Sequence, residues 1–134
     1  MDVFSSEKRS WVMSRIQGKN TKPEKTVRSI LHHLGYRFRL HANLPGKPDI
    51  VLPKHKKVIF VHGCFWHRHK GCKYAYNPKS RIEFWTEKFQ GNVLRDKKNK
   101  RVLENEGWEV VTIWECETKK PDFILRKLHN IMVM

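Results

Sequence analysis

Between Phe60 and Cys72 the chain reads Phe60-Val61-His62-Gly63-Cys64-Phe65-Trp66-His67-Arg68-His69-Lys70-Gly71-Cys72. Imidazole nitrogen and thiolate sulfur are preferred ligands of zinc, and imidazole is also the acid or base that works near neutral pH. Cys64, His69 and Cys72, joined by the distant Cys116, form a candidate four-ligand zinc set that uses every cysteine of the chain. Four protein ligands leave no open position, so such a site is structural. The Cys-x4-His-x2-Cys spacing is unusual, and buried free thiols are the alternative. Phe65 and Trp66 lie between these ligands, where both cannot turn inward without displacing them. An exposed pair of rings is explained by stacking on bases.

A second site is suggested by Lys47-Pro48-Asp49, which sets a carboxylate at the start of an apolar strand. Magnesium takes carboxylate, carbonyl, water and phosphate oxygens, so one aspartate and a neighbouring carbonyl suffice when a substrate phosphate supplies the rest. A turn aspartate that accepts backbone hydrogen bonds is the rival reading. The histidines at the end of the following strand favour the cation.

The elements that must carry these residues can be read from pattern. Ser5 or Ser6 caps a short basic helix with Trp11, Val12 and Ile16, ended at Gly18. Thr21-Lys22-Pro23-Glu24 has the form of a capping box, followed by Val27, Ile30, Leu31 and Leu34 on one helical face and then Gly35. Tyr36–His41 alternates apolar and polar as a half-buried strand does, and Asp49–Leu52 with Lys57–Val61 reads as a central hairpin. Residues 80–106 are helical in composition, with an expected break near Gly91-Asn92. Their second half crowds Arg95, Lys97, Lys98, Lys100 and Arg101 together, a face for phosphate or water. A buried strand at 108–114 and an amphipathic helix at 122–131 complete the order α, α, β, β, β, α, α, β, α. This predicts an α/β or mixed α+β class, with a mixed central sheet flanked by helices.

The length of 134 residues predicts a single domain, 1–134, with enough apolar content for one core. The net charge of +15, from 28 Lys and Arg against 13 Asp and Glu, exceeds what solubility needs and points to a polyanion, nucleic acid first. No apolar run approaches the roughly 20 residues of a membrane span, and the first residues lack the order of a signal peptide. The expected location is the cytosol, with no membrane partner.

Pro48-Asp49 followed by a strand is the pattern of the PD-(D/E)xK nuclease superfamily, but Phe60-Val61-His62 stands where an acid, a variable residue and lysine belong. With Leu44-Pro45-Gly46-Lys47-Pro48-Asp49 and Trp114-Glu115-Cys116, the segment Phe60–His67 closely resembles the very-short-patch repair (Vsr) endonucleases, which nick DNA at T·G mismatches. The resemblance spans about residues 7 to 117.

It implies a restriction-endonuclease-like sheet with a structural zinc on Cys64, His69, Cys72 and Cys116. Because Lys70-Gly71 looks like one extra residue relative to relatives with tighter spacing, His67 is a possible substitute for His69. It further implies that Asp49 and the Val61 backbone carbonyl hold magnesium, with phosphate oxygens completing two ion shells. Relatives often carry threonine at the Val61 position, which a carbonyl ligand tolerates. His67 would be the general base, while His62 and Glu24 would hold metal-bound waters or orient that base. Glu24 has the competing role of a capping-box carboxylate. Phe65, Trp66 and Met13 would wedge into the base stack beside the mismatch, although a methionine beside Trp11 and Ile16 also suits a core. The implied partner is duplex DNA with a T·G mismatch, cut on one strand; a single-strand nick needs one active site, which argues for a monomer. The rivals are a restriction-type nuclease without mismatch preference and a zinc-stabilised DNA-binding module that does not cut.

Overall fold

In the computed structural model residues 21–133 are described, and the expected first helix, with Met13, lies outside them. Helix α1, Lys22–His33, starts where the capping signal placed it: Thr21 is the N-cap and its Oγ1 accepts from the Glu24 amide at 3.4 Å. It stops at Gly35, whose φ of 88° allows the Tyr36 amide to turn back to the Leu31 carbonyl at 3.0 Å.

The sheet has four strands in the order β1 (Arg39–Leu40), β2 (Ile50–Leu52), β3 (Lys57–His62) and β4 (Glu109–Trp114). β1 and β2 pair antiparallel, as do β2 and β3 around a 3-10 turn at Pro53–His55, while β3 and β4 run parallel. Parallel pairing demands a crossover, supplied by residues 63–108. They hold a compact loop and then helix α2, Ile82–Asn105. A four-residue helix α3, Glu115–Thr118, which periodicity does not foresee, leads into α4, Pro121–Val133. The mixed sheet flanked by helices agrees with the mixed α+β expectation. Among the described residues no helix is long and apolar enough to cross a membrane.

Both faces of the sheet are covered, so its central strands are apolar runs rather than alternations. On one face Ile50, Leu52, Ile59 and Ile113 pack with Val27 and Leu31 of α1 and Ile124, Leu128 and Met132 of α4. On the other, Val51 and Val58 pack with Leu103 of α2, beside Phe60, Trp108 and Val110. The period of two then directs Asp49, Phe60, His62, Thr112 and Trp114 to the α2 side, where a cleft opens beyond the end of the core.

Two local expectations fail for tertiary reasons. The strand over Tyr36–His41 shrinks to Arg39–Leu40, because Tyr36 and Phe38 serve the core without pairing and His41 turns off at φ 49°. The break at Gly91-Asn92 is absent, and α2 runs unbroken for 24 residues. A glycine inside a helix costs about 1 kcal/mol. Here buried Phe89 and the Asn92 side chain, which donates to the Trp66 carbonyl at 3.0 Å, hold the helix through that point.

Leu103 is fully buried and anchors α2 to the sheet. Leu103→Ala should lower stability by about 3 kcal/mol, read from urea denaturation, and a loss under about 1 kcal/mol would contradict this anchoring.

Candidate active site and metal centre

Asp49 is 9% exposed at the head of β2, and its Oδ2 accepts from the Val61 amide on β3 at 2.6 Å. The Leu44–Lys47 turn that delivers it packs on α2: Gly46 has φ 76°, and a Cβ there would stand 2.8 Å from the Asn99 side chain. Glu24, 1% exposed, reaches Asp49 from α1. Its Oε2 accepts from Arg28 at 2.9 Å and lies 2.9 Å from His41 Nε2. Burial pushes the Asp49 carboxyl up to about 7, the adjacent Glu24 carboxyl adding to the rise while the Val61 amide and Arg28 oppose it. Two buried carboxyls in contact are a site that a cation would relieve.

Across the same cleft, His62 and His67 stack with ring centroids 3.9 Å apart and planes within 8°. His67 Nδ1 meets Asp96 Oδ2 of α2 at 2.7 Å. That bond gives Nδ1 the proton and leaves Nε2 with the lone pair. Burial and then the neighbouring His67 push the His62 imidazole down to about 4, against a weaker pull from Asp96. His62 is therefore neutral at pH 7 and can accept a hydrogen bond. The cleft, about 700 Å³, is lined by Asp49, Val61, His62 and His67 and rimmed by Lys47, Arg68, Lys70, Lys97 and Lys100.

Of the five basic residues singled out on α2, Lys97 and Lys100 line the cleft. Arg95 bonds to Asn92 Oδ1 one turn back, while Lys98 and Arg101 are exposed outside the cleft lining. His41 and Asp96 are the contacts that sequence reasoning missed. Asp96 carried a signal, being an acid inside a basic run, where phosphate contact alone has no use for it. His41 carried none beyond its place at the end of an alternating stretch.

The loop after β3 is a knuckle of short turns: the amides of His67, His69 and Cys72 bond to the carbonyls of Gly63, Cys64 and His69. Arg68, at φ 57°, ties it to the following loop through the Ala75 and Tyr76 carbonyls and Asn77 Oδ1. The turns gather Cys64, His69 and Cys72, and α3 brings Cys116, so that one donor atom from each lies within 4.8 Å of the others. His69 Nδ1 is 3.7 Å from Cys64 Sγ and 3.4 Å from Cys116 Sγ. Ligands of a tetrahedral ion with ~2.3 Å sulfur and ~2.0 Å nitrogen bonds stand ~3.5 Å apart, so the donor set fits zinc. Burial pushes the Cys64 thiol up to about 12, a cost that a coordinated cation removes. His69 takes this place with its ring stacked on Trp114 at 4.2 Å, while His67 belongs to the other cluster. Phe65 is half-buried, edge-on to Trp66, Trp85 and Phe89, while Trp66 remains 36% exposed.

Since the native fold holds a proton on Asp49 more tightly than an unfolded chain does, this group's contribution to stability falls as pH rises from about 4 to about 7. His62 acts in the opposite sense between about 4 and 6.5, so only a variant isolates either. Without divalent ions, Asp49→Asn should be the more stable protein at about pH 8 and lose that advantage below about pH 4. Equal urea midpoints at about pH 8 would refute the burial effect.

The family model described as DNA mismatch endonuclease Vsr matches residues 1–73. A type II nicking enzyme of Xanthomonas oryzae pv. oryzae is 48% identical over 132 residues, covering 98% of this chain and 96% of its own. The DNA mismatch endonuclease Vsr of Escherichia coli K12 is 43% identical over 116 residues, covering 86% of this chain and 74% of its own. The catalytic domain of the homing endonuclease I-Bth0305I shares the fold, with a TM-score of 0.60 at 24% identity over 85% of this chain and 96% of that domain. Carrying the sheet, the cleft and the sequence likeness together, the chain belongs to the DNA mismatch endonuclease Vsr family.

Proposed function

We propose that this protein nicks one strand of duplex DNA beside the thymine of a T·G mismatch, by magnesium-dependent hydrolysis of the phosphodiester. The observation that carries the reading is the convergence on one cleft of Asp49, backed by buried Glu24, and an imidazole oriented by a third carboxylate, Asp96. Asp49 would hold the ion, and the backbone of Val61, already bonded to Asp49 through its amide, would offer its carbonyl as a further ligand. When bound, magnesium supplies charge to the scissile phosphate and a water polarised for attack, a role that two ions would share. His67 would take the proton of an attacking water at Nε2, and Asp96, bonded to Nδ1, would stabilise the imidazolium that results. His62, kept neutral, would accept a hydrogen bond from water in the cleft, and Glu24 backs Asp49 from its buried side.

Lys97 and Lys100 on the rim meet phosphate, with Arg95, Lys98 and Arg101 adding longer-range attraction on the same helix. Trp66 is the exposed ring that wedges into the duplex, braced by Phe65, with Met13 as a third member. Cys64, His69, Cys72 and Cys116 would hold a zinc that fixes the knuckle carrying both His67 and the wedge. One nick needs one active site, so residues 1–134 act as a single catalytic domain and a monomer suffices.

Magnesium-dependent nicking should be faster on a T·G duplex than on the same duplex with T·A. Equal rates would leave a restriction-type nuclease, and tight binding with no cleavage under any divalent ion would leave a binding module. Asp49→Asn should bind the mismatched duplex as the parent does and lose at least about a thousandfold in nicking rate, about 4 kcal/mol of barrier. Retained nicking removes Asp49 from the mechanism. Metal analysis should return one zinc per chain for the parent and less for Cys116→Ser, with a lower unfolding midpoint. A metal-free parent of full stability rules out the structural ion.

A further inference from the structure

His41 takes no part in the proposed hydrolysis or in the zinc centre, yet the fold delivers it to the middle of the carboxyl cluster. It leaves β1 in a left-handed conformation, φ 49°, which residues with a Cβ adopt mainly where the surroundings impose it. Its amide donates to the Asp49 carbonyl at 3.2 Å, which pins it to the residue whose side chain heads the cleft. Its Nε2 stands 2.9 Å from Glu24 Oε2, and Glu24, His41 and Asp49 each offer one donor atom within 4.8 Å of the other two. Around an octahedral ion with bonds of ~2.1 Å, neighbouring donors lie ~3.0 Å apart and opposite ones ~4.2 Å apart. The hydrogen-bonded separation of His41 and Glu24 is thus already that of two ligands sharing an edge.

We infer that His41 is a nitrogen ligand of the ion held at Asp49, so that the site combines imidazole with two carboxylates and favours manganese-class ions over magnesium. The inference rests on the proposed metal role of Asp49 and deepens it. Magnesium is satisfied by oxygen alone, whereas an imidazole donor raises affinity along the first-row transition series. Arg28 is compatible with this ligation: a carboxylate offers about four lone-pair sites, so Glu24 keeps its bond to the guanidinium while binding an ion.

The competing role, in which His41 only orients Glu24 by hydrogen bonding, is separable because glutamine keeps a donor at similar reach and loses the nitrogen ligand. Zinc-replete full-length protein would be titrated with manganese and with magnesium, and the manganese form examined by pulsed electron paramagnetic resonance for nitrogen-14 coupling. The parent should show imidazole nitrogen coupling that disappears in His41→Gln. The ratio of manganese to magnesium affinity should fall about tenfold in that variant. Coupling absent from the parent, or surviving in His41→Gln because His62 or His67 supplies it, overturns the inference, as does an unchanged affinity ratio. Manganese bound as tightly by Asp49→Asn as by the parent defeats the underlying assignment of the ion to Asp49. Loss of binding in Asp49→Asn with no nitrogen coupling in the parent defeats His41 alone.

Discussion

The parallel pairing of β3 with β4, in the register that sets His62 beside Trp114, is the constraint on which the rest of the molecule depends. It brings the two strand ends level. β3 runs out into the knuckle with Cys64 and His69, and β4 into α3 with Cys116, so the thiol cluster closes where both strands end. On the α2 side the same register sets Phe60, His62, Thr112 and Trp114 in one wall of the cleft. A slip of one residue would turn that wall toward α1 and α4 and separate the sulfur ligands.

The charge distribution has its own logic. In a chain of net charge +15, the acids of the cleft are set inward: Asp49 and Glu24 on one side, Asp96 behind the imidazole pair on the other. Lysines occupy the rim. The outer field attracts a polyanionic strand, while the carboxylates are set back behind the rim. His62 lies stacked on His67, and burial with that neighbouring ring keeps the His62 imidazole neutral.

Much of this was legible in residue pattern. The cap at Thr21, the stop at Gly35, the apolar runs at Asp49–Leu52 and Lys57–Val61 and the candidate grouping of Cys64, His69, Cys72 and Cys116 were each visible in the sequence, and the structure has strands at Ile50–Leu52 and Lys57–His62 and brings the four residues together. Local chemistry failed where a distant contact decides. Glu24 fits a capping motif, and its carboxyl also meets His41 and Asp49, because burial beside another acid is set by the sheet and not by the motif. Asp96 and His67 are far apart in sequence and meet only through the placing of α2 over the sheet. Gly91 marks a break by propensity, and the helix continues because Asn92 and Phe89 are held by the knuckle and its aromatic rings.

The late position of β4 has a consequence for synthesis. Closing a parallel pair across so long a crossover is slow, because the entropy of loop closure precedes the contacts that reward it. A chain still on the ribosome before residue 109 possesses Asp49, His62 and His67 but lacks the strand against which they are ranked and the last sulfur of the cluster. The cleft wall and the thiol cluster are thereby complete only once residues 109–116 have joined the earlier strands.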